Sequence, residues 1–266
     1  MKKLRAAFVV QRYGREVNGG AEAHCRAVAE RMARHWDVAV LTSCSREYVS
    51  RFENDFAPGS EALGNVEVHR FKVDWRRSED RIFSALDAKV VCRDSTPDED
   101  QRWLKEVGPY CSGLLRHVDE HGARYDVFVF FSYLYATTTL ALPRVRHKAL
   151  FVPTAHDETP IRARPFDDLF AMPRQLLCNT IEELAFLKRR TGGHLAPAEV
   201  VGSGVDLPAD ATPDIFRRTF GLDGPYLLYV GRIQKEKGCD ELFAHFLSLP
   251  DATKRATPLV LIGKAA

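Results

Sequence analysis

Residues Ala6-Ala7-Phe8-Val9-Val10-Gln11-Arg12-Tyr13-Gly14-Arg15-Glu16-Val17-Asn18-Gly19-Gly20-Ala21-Glu22 carry the reading that decides the fold. Ala6–Gln11 is a short, mostly apolar run of the kind that forms a strand. A glycine-bearing turn follows and opens a helical pattern over Ala21–His35. There Ala21, Cys25, Val28 and Met32 recur at helical spacing on one face. The basic residues ahead of the run imitate a signal peptide. The run is only about six residues long against the 7–15 of a secretory apolar region, and no small-residue cleavage site follows.

The same alternation continues outward. Asp37–Leu41 and Val66–Val73 read as strands, and Glu79–Val91 and Asp98–His121 as helices. Pro109 is expected to break the second of these helices, because proline lacks the amide that a helix needs. Asp126–Phe131 is nearly all apolar, as in a strand buried on both faces. Tyr133–Leu142 reads as helical, and Ala149–Pro153 and Gln175–Cys178 as extended. Thr180–Arg190 reads as a helix with Thr180 as cap and Glu183 completing a capping box. Glu199–Val201 is a last short strand. Strands alternating with helices imply βαβ units and a mostly parallel sheet covered on both faces, an α/β fold.

Near Asp206 the composition changes. Leu207–Gly224 is rich in Pro, Asp, Ala and Thr, with one helical piece around Ile215–Phe220, and reads as a linker. The pattern then restarts as strand Tyr226–Val230, loop Gly231–Gly238, helix Cys239–Leu247 and strand Leu259–Ile262. Residues 1–206, 207–224 and 225–266 are therefore expected to be a first domain, a linker and the start of a second domain. The last segment is well under the ~70 residues at which a scaffold supplies its own core, so it reads as truncated.

The chain has 266 residues, 45% of them hydrophobic and 28% charged. That is ordinary globular composition and argues against disorder, collagen and coiled coil. Lys and Arg number 38 against 36 Asp and Glu, a balance of +2. Nucleic-acid binders present a strongly basic face, so no nucleic-acid partner is expected. No apolar run approaches the ~20 residues of a membrane span. None of Cys25, Cys44, Cys92, Cys111, Cys178 and Cys239 sits in a CxxC pair or a zinc-like cluster, which fits reduced thiols in a cytoplasmic protein.

Two loops follow strands at the end of the sheet where open α/β folds bind ligands. In the first, Gly19 and Gly20 at a helix start allow close approach, and free amides with the helix dipole favour an anion such as phosphate. A plain turn and cap is the alternative. The dinucleotide pattern G-x-G-x-x-G is absent, and Thr42-Ser43-Cys44-Ser45 offers no carboxylate for a ribose, which disfavours classic NAD binding. The second loop, Gly231-Arg232-Ile233-Gln234-Lys235-Glu236-Lys237-Gly238, sets Arg232 and Lys237 beside it. Arg grips phosphate in a fork and Lys adds a point charge. A solvated basic loop is the alternative here.

Gly231-Arg232-x4-Lys237-Gly238 after a strand resembles the G-R-x4-K-G motif of retaining glycosyltransferases of family four, which have the two-domain GT-B fold. Asn18-Gly19-Gly20-Ala21-Glu22 resembles that family's N-terminal glycine loop. Val201-Gly202-Ser203-Gly204-Val205-Asp206 resembles its hinge, with Gly202-Ser203 in place of the usual Pro-Asn. Asn179-Thr180-x-Glu182-Glu183 is similar to the segment before the last helix of its first domain. The resemblance implies a Rossmann-like acceptor-binding domain of GT-B type, then a truncated second Rossmann-like domain that binds a nucleotide-sugar. It implies that Arg232 and Lys237 hold the donor diphosphate, that Gly19 and Gly20 approach it, and that His156 faces the transferred sugar. It also implies no metal, since these cations can take a metal's place. The family's downstream pair of glutamates has no counterpart, so this length of chain is expected to be inactive in transfer.

Tyr133 and Tyr135 follow the buried strand and offer rings for an acceptor sugar, with half-buried packing as the other reading. Arg162 and Arg164 offer an anion site, against a solvated loop. Trp75-Arg76-Arg77 offers a peripheral membrane contact, although an anchor needs a longer apolar face. The expectation is a glycosyltransferase acting from a nucleotide-sugar on a glycan, lipid or small-molecule acceptor, in the cytoplasm or at the inner membrane surface. A non-catalytic acceptor- or partner-binding domain and a sugar-nucleotide epimerase of the same architecture are the alternatives.

Overall fold

The computed structural model of the chain describes residues 3–47, 52–75, 77–206 and 212–263. They divide into two compact units, residues 1–203 and 204–266. The first unit carries strands β1 (Arg5–Val9), β2 (Asp37–Ser43), β3 (Gly59–Leu63), β4 (Val66–Phe71), β5 (Val127–Phe131), β6 (Ala149–Val152), β7 (Gln175–Cys178) and β8 (Ala198–Val200). They form one sheet in the order β3-β4-β2-β1-β5-β6-β7-β8. All neighbours are parallel except β3 against β4.

Alternation of side chains builds two cores from one sheet. Ala7, Val9, Ala39, Leu41, Phe128 and Phe130 belong to one cluster, with Trp103, Leu114 and Phe166 over them. Ala6, Phe8, Val38, Val40, Val129 and Phe131 belong to the other, with Cys25 and Ala29 of helix α1 (Gly20–Met32). Burial on both faces is why β5 reads as a continuous apolar run. Each buried Phe or Val contributes roughly 1.5–3 kcal/mol.

Helices α2 (Asp80–Val91), α3 (Pro97–Val107) and α4 (Ser112–His121) follow β4. The stretch Asp98–His121 is divided at Gly108-Pro109, where Pro109 was expected to break it. A capping box does form, but at α3: Thr96 Oγ1 accepts from the Glu99 amide, and Glu99 accepts from the Thr96 amide at 2.8 Å. Between β5 and β6 the expected helix Tyr133–Leu142 shrinks to α5 (Ala136–Thr139) and a 3-10 stretch, Leu142–Lys148. The threonines explain this. Thr138 Oγ1 donates to the Phe131 carbonyl and Thr139 Oγ1 to that of Tyr135, and such local bonds compete with helix propagation. Pro143 then interrupts the pattern. Strand β3 was not expected: Gly59-Ser60-Glu61-Ala62-Leu63 lacks a buried face and pairs only as an exposed edge.

Helix α6 (Ile181–Arg190) starts at Thr180, whose Oγ1 accepts from the Glu183 amide at 3.0 Å. Glu183 does not return the bond to Thr180, which corrects the capping-box expectation. Its buried carboxylate accepts instead from the amides of Asn179 at 2.6 Å and Ala155 at 2.7 Å.

The second unit contains α7 (Pro213–Phe220), β9 (Leu227–Val230), α8 (Cys239–Ser248), α9 (Asp251–Ala256) and β10 (Leu259–Ile262). Its two strands are parallel. Residues 207–211 of the expected linker lie outside the described residues, as does Arg76.

Candidate functional site

In the first unit the order of strands reverses at β1. The chain steps outward through β2 on one side and through β5, β6 and β7 on the other. Ligands of open α/β sheets bind outside the carboxyl ends of the strands at such a switch point. The loops leaving β1, β5, β6 and β7 therefore frame the candidate site.

The loop after β1 is held from beneath. Arg12 and Glu22 form a buried ion pair, each about 95% covered. Arg12 also donates to the carbonyls of Arg46 at 2.9 Å and Asn18 at 3.1 Å, and Gln11 Nε2 donates to Glu22 Oε1 at 2.8 Å. Gly19 has φ +155, and a Cβ there would lie 2.1 Å from Glu22 Oε2, so only glycine fits. Gly20 is different: a Cβ there would meet nothing within 4 Å, which leaves the helix start open. The paired charges cancel, so the exposed amides of α1 retain their preference for an anion.

The loops after β5 and β6 meet through side chains. Tyr133 is buried; Phe166 packs edge-on to its ring at 5.0 Å, and its hydroxyl donates to Glu158 Oε1 at 2.6 Å. The other oxygen, Glu158 Oε2, lies 3.4 Å from His156 Nε2. The His156 ring is 71% exposed, so it is tethered yet open to solvent. Ser132 (φ +66) and Thr154 (φ +52) sit one and two residues past their strands in the left-handed region. Non-glycine residues there cost about 1–3 kcal/mol each, and such positions cluster at functional sites. Glu183 joins the β6 and β7 loops through its two amide bonds, and burial raises its pKa despite those bonds.

Tyr135 goes elsewhere. It is buried, with Phe52 edge-on at 6.0 Å, and it precedes α5. Arg164 is tied to the Ser95 carbonyl at 2.7 Å, and Arg162 lies 3.4 Å from Asp157. Trp75 forms an isolated bridge with Tyr110, and Lys105 lies over its ring.

The second unit presents its own loop. Gly231 (φ +156) leaves β9, and its amide donates to the Ile262 carbonyl at 2.9 Å. Tyr229 Oη donates to the Arg232 carbonyl at 2.7 Å. Lys235–Lys237 form one 3-10 turn, and Gly238 (φ +72) starts α8. Arg232 and Lys237 are both exposed on this loop.

Sequence reasoning did not single out Arg12, Glu158 or the bridging role of Glu183. Arg12 and Glu158 lie three and six residues past β1 and β6, and no spacing in the sequence points to the partners they meet in the fold. Among the described residues no three His, Cys, Asp or Glu side chains gather as a metal site, and no helix is long and apolar enough to cross a membrane. All six cysteines are free, and only Cys92 is exposed.

No family model matches this sequence, and no curated protein matches it. Solved structures do share its architecture. The chain aligns over 98% of its length with E. coli trehalose-6-phosphate synthase bound with UDP-2-fluoro glucose, at TM-score 0.60 and 13% identity. The chain has the GT-B fold. The α,α-trehalose 6-phosphate synthase of Burkholderia multivorans aligns with 99% of it at TM-score 0.57 and 15% identity. UGT71G1 of Medicago truncatula complexed with UDP-glucose aligns with 99% of it at TM-score 0.53 and 8% identity, covering 72% of that protein. The chain spans 65% of the length of both synthases. At these identities the likeness establishes the GT-B fold, with its Rossmann-like units.

Proposed function

We propose that this chain is part of a retaining glycosyltransferase that moves a sugar from a nucleotide-sugar to a glycan, lipid or small-molecule acceptor. The observation that carries the proposal is the exposed His156 imidazole at the carboxyl edge of the sheet, held through Glu158 by buried Tyr133. It gives a GT-B first unit one fixed polar group where a sugar would lie. Tyr133 is then a positioning residue acting through Glu158, and Tyr135 is a packing residue against Phe52.

Donor binding falls to the second unit. Arg232 and Lys237 offer two cations on the loop ahead of α8. They suit a diphosphate whose negative charge grows as the sugar departs, so they act chiefly by electrostatic stabilisation and take the place of a metal. GT-B structures bound with UDP-sugars support this reading. The retaining outcome rests on the motif around Arg232 and Lys237. Gly19 and Gly20 supply open amides for an anionic donor group. Residues 1–206 are assigned to the acceptor, and a cytoplasmic location with peripheral membrane contact fits such acceptors.

Titration with UDP tests the donor assignment. Lys237→Ala should weaken binding by about tenfold to a hundredfold, as one charge-assisted hydrogen bond is worth roughly 1.5–3 kcal/mol. Arg232→Lys should also weaken it, because the planar fork is lost. His156→Ala should leave UDP affinity alone and reduce protection by the UDP-sugar. Unchanged UDP affinity in both cation variants would overturn the assignment.

A further inference from the structure

A groove of about 230 Å³ runs along α1 and reaches the first residues of the loop after β1. Tyr13 and Arg15 line it from the loop after β1. Arg26 and Glu30 line it from α1, with Arg34 just past the helix end, and Asn65 from the β3–β4 turn. The spacing 26, 30 places Arg26 and Glu30 on one face of α1, and Arg34 follows in the turn beyond its end. Three guanidinium groups therefore face one carboxylate.

Its buried wall holds the second observation. Tyr13 is 1% exposed, yet its hydroxyl has no hydrogen-bond partner among the described residues. Buried hydroxyls are nearly always paired, so an orphan in a native fold calls for an occupant. Arg70, itself buried, fixes the Tyr13 backbone by donating to its carbonyl at 2.8 Å. Arg26 donates to the Gly14 carbonyl at 2.8 Å, which fixes the groove's upper rim. Burial raises the Tyr13 pKa, and Arg26 and Glu30 are among the charges it senses. The phenol therefore keeps its proton and acts as a donor.

We propose that this groove binds the phosphate group of a small phosphate ester, with Arg15, Arg26 and Arg34 as charge partners and the Tyr13 hydroxyl as donor. Guanidinium forks match phosphate oxygens, and a phenol supplies the one neutral bond. The volume is below the ~300–1,000 Å³ of sites that enclose drug-sized ligands, so a whole nucleotide-sugar is too large. The site is thus separate from donor binding.

Calorimetry of the full chain with inorganic phosphate and with glycerol 3-phosphate tests this, beside co-sedimentation with vesicles containing phosphatidic acid. Saturable binding is expected, weakened by about tenfold for each of Arg15→Ala and Arg34→Ala, as charge-assisted bonds are lost. Both arginines are exposed, so the fold should survive. Tyr13→Phe, with its melting temperature checked, should weaken binding several-fold. UDP affinity should not change in any of the three. Binding of the soluble ester identifies a free phosphate as the ligand. Binding of vesicles alone, lost in the Arg15→Ala/Arg34→Ala pair, identifies a lipid headgroup at the same site. The proposal fails if neither probe binds, or if the double variant binds as the parent does.

Discussion

Strands β5 and β9 are nearly the same kind of sequence, Val127-Phe128-Val129-Phe130-Phe131 against Leu227-Leu228-Tyr229-Val230, and they meet opposite fates. In the first unit Phe128 and Phe130 are wholly buried between helices and neighbouring strands. In the second, Leu228 is 48% and Val230 69% exposed, and Leu247 of α8 is 68% exposed. An apolar run thus reports that a strand forms, and says nothing of what covers it. The cover of β5 comes from residues far along the chain, among them Trp103, Leu114 and Phe166.

The largest expected difference is in amide exchange. Core strands open only with the whole fold, whereas strands with few buried contacts open locally. Amides of Phe128–Phe131 should be protected by orders of magnitude more than those of Leu227–Val230 and Leu259–Ile262. Equal protection in a monomer would break the comparison. Truncation sharpens it next. Phe130→Ala should cost about 3–5 kcal/mol in urea unfolding, as a buried aromatic is lost and a cavity left. Leu228→Ala should cost under about 1 kcal/mol, since half its surface is already in water.

The comparison also shows what was legible in the sequence. Nine of the ten strands among the described residues are legible in the sequence, most of them as runs rich in Val, Leu and Phe. Strand β3 escaped because it is held by backbone bonds to β4 and by polar pairs such as Ser60 Oγ to His69 Nδ1 at 2.7 Å. The helix expected over Tyr133–Leu142 failed because its threonines bond their own backbone. At the site, the glycine loop and His156 were visible as motifs. The Glu158 link and the Arg12–Glu22 pair were not, since residues 10 and 25 positions from their partners meet only after the sheet has formed.

The two glycine loops extend the contrast to electrostatics. The loop after β1 rests on a buried ion pair, whereas that after β9 carries exposed Arg232 and a Tyr229 bond to backbone. Breaking a buried pair leaves an uncompensated charge and costs about 3–5 kcal/mol. Glu22→Gln should show that loss in unfolding titrations. Arg232→Ala should change stability by no more than about 0.5 kcal/mol, as surface substitutions do. If Glu22→Gln were as mild as Arg232→Ala, the first loop would not depend on its pair.

The smallest effect concerns acid. Among the described residues the second unit has one histidine, exposed His245, whereas the first holds His117 packed against His69 at 5.2 Å and His121 at 4.9 Å. Burial, then the charges of His69 and His121, lower the His117 pKa from 6.5 to about 4. The unfolded chain therefore takes up this proton first as pH falls. The contribution to stability is whole above pH 6.5 and is lost progressively as pH drops toward 4. The slope should stay below the about 1.4 kcal/mol per pH unit of one full proton, because the half-exposed ring is screened. His24, its pKa also lowered by burial, adds to the same window. The carboxylates held low, Glu106 and Asp167, act below it. Urea midpoints at pH 7.0, 5.5 and 4.5 are the measurement, with these settings chosen at about the edges and middle of that window. His117→Gln should flatten part of the dependence and leave the rest to His24, opposed by Glu183, whose raised pKa favours the folded state as pH falls. Protection at Leu227–Val230, taken relative to the intrinsic exchange rate at each pH, should stay unchanged. An identical slope in parent and variant would mean that the histidine cluster is already solvated in the folded protein.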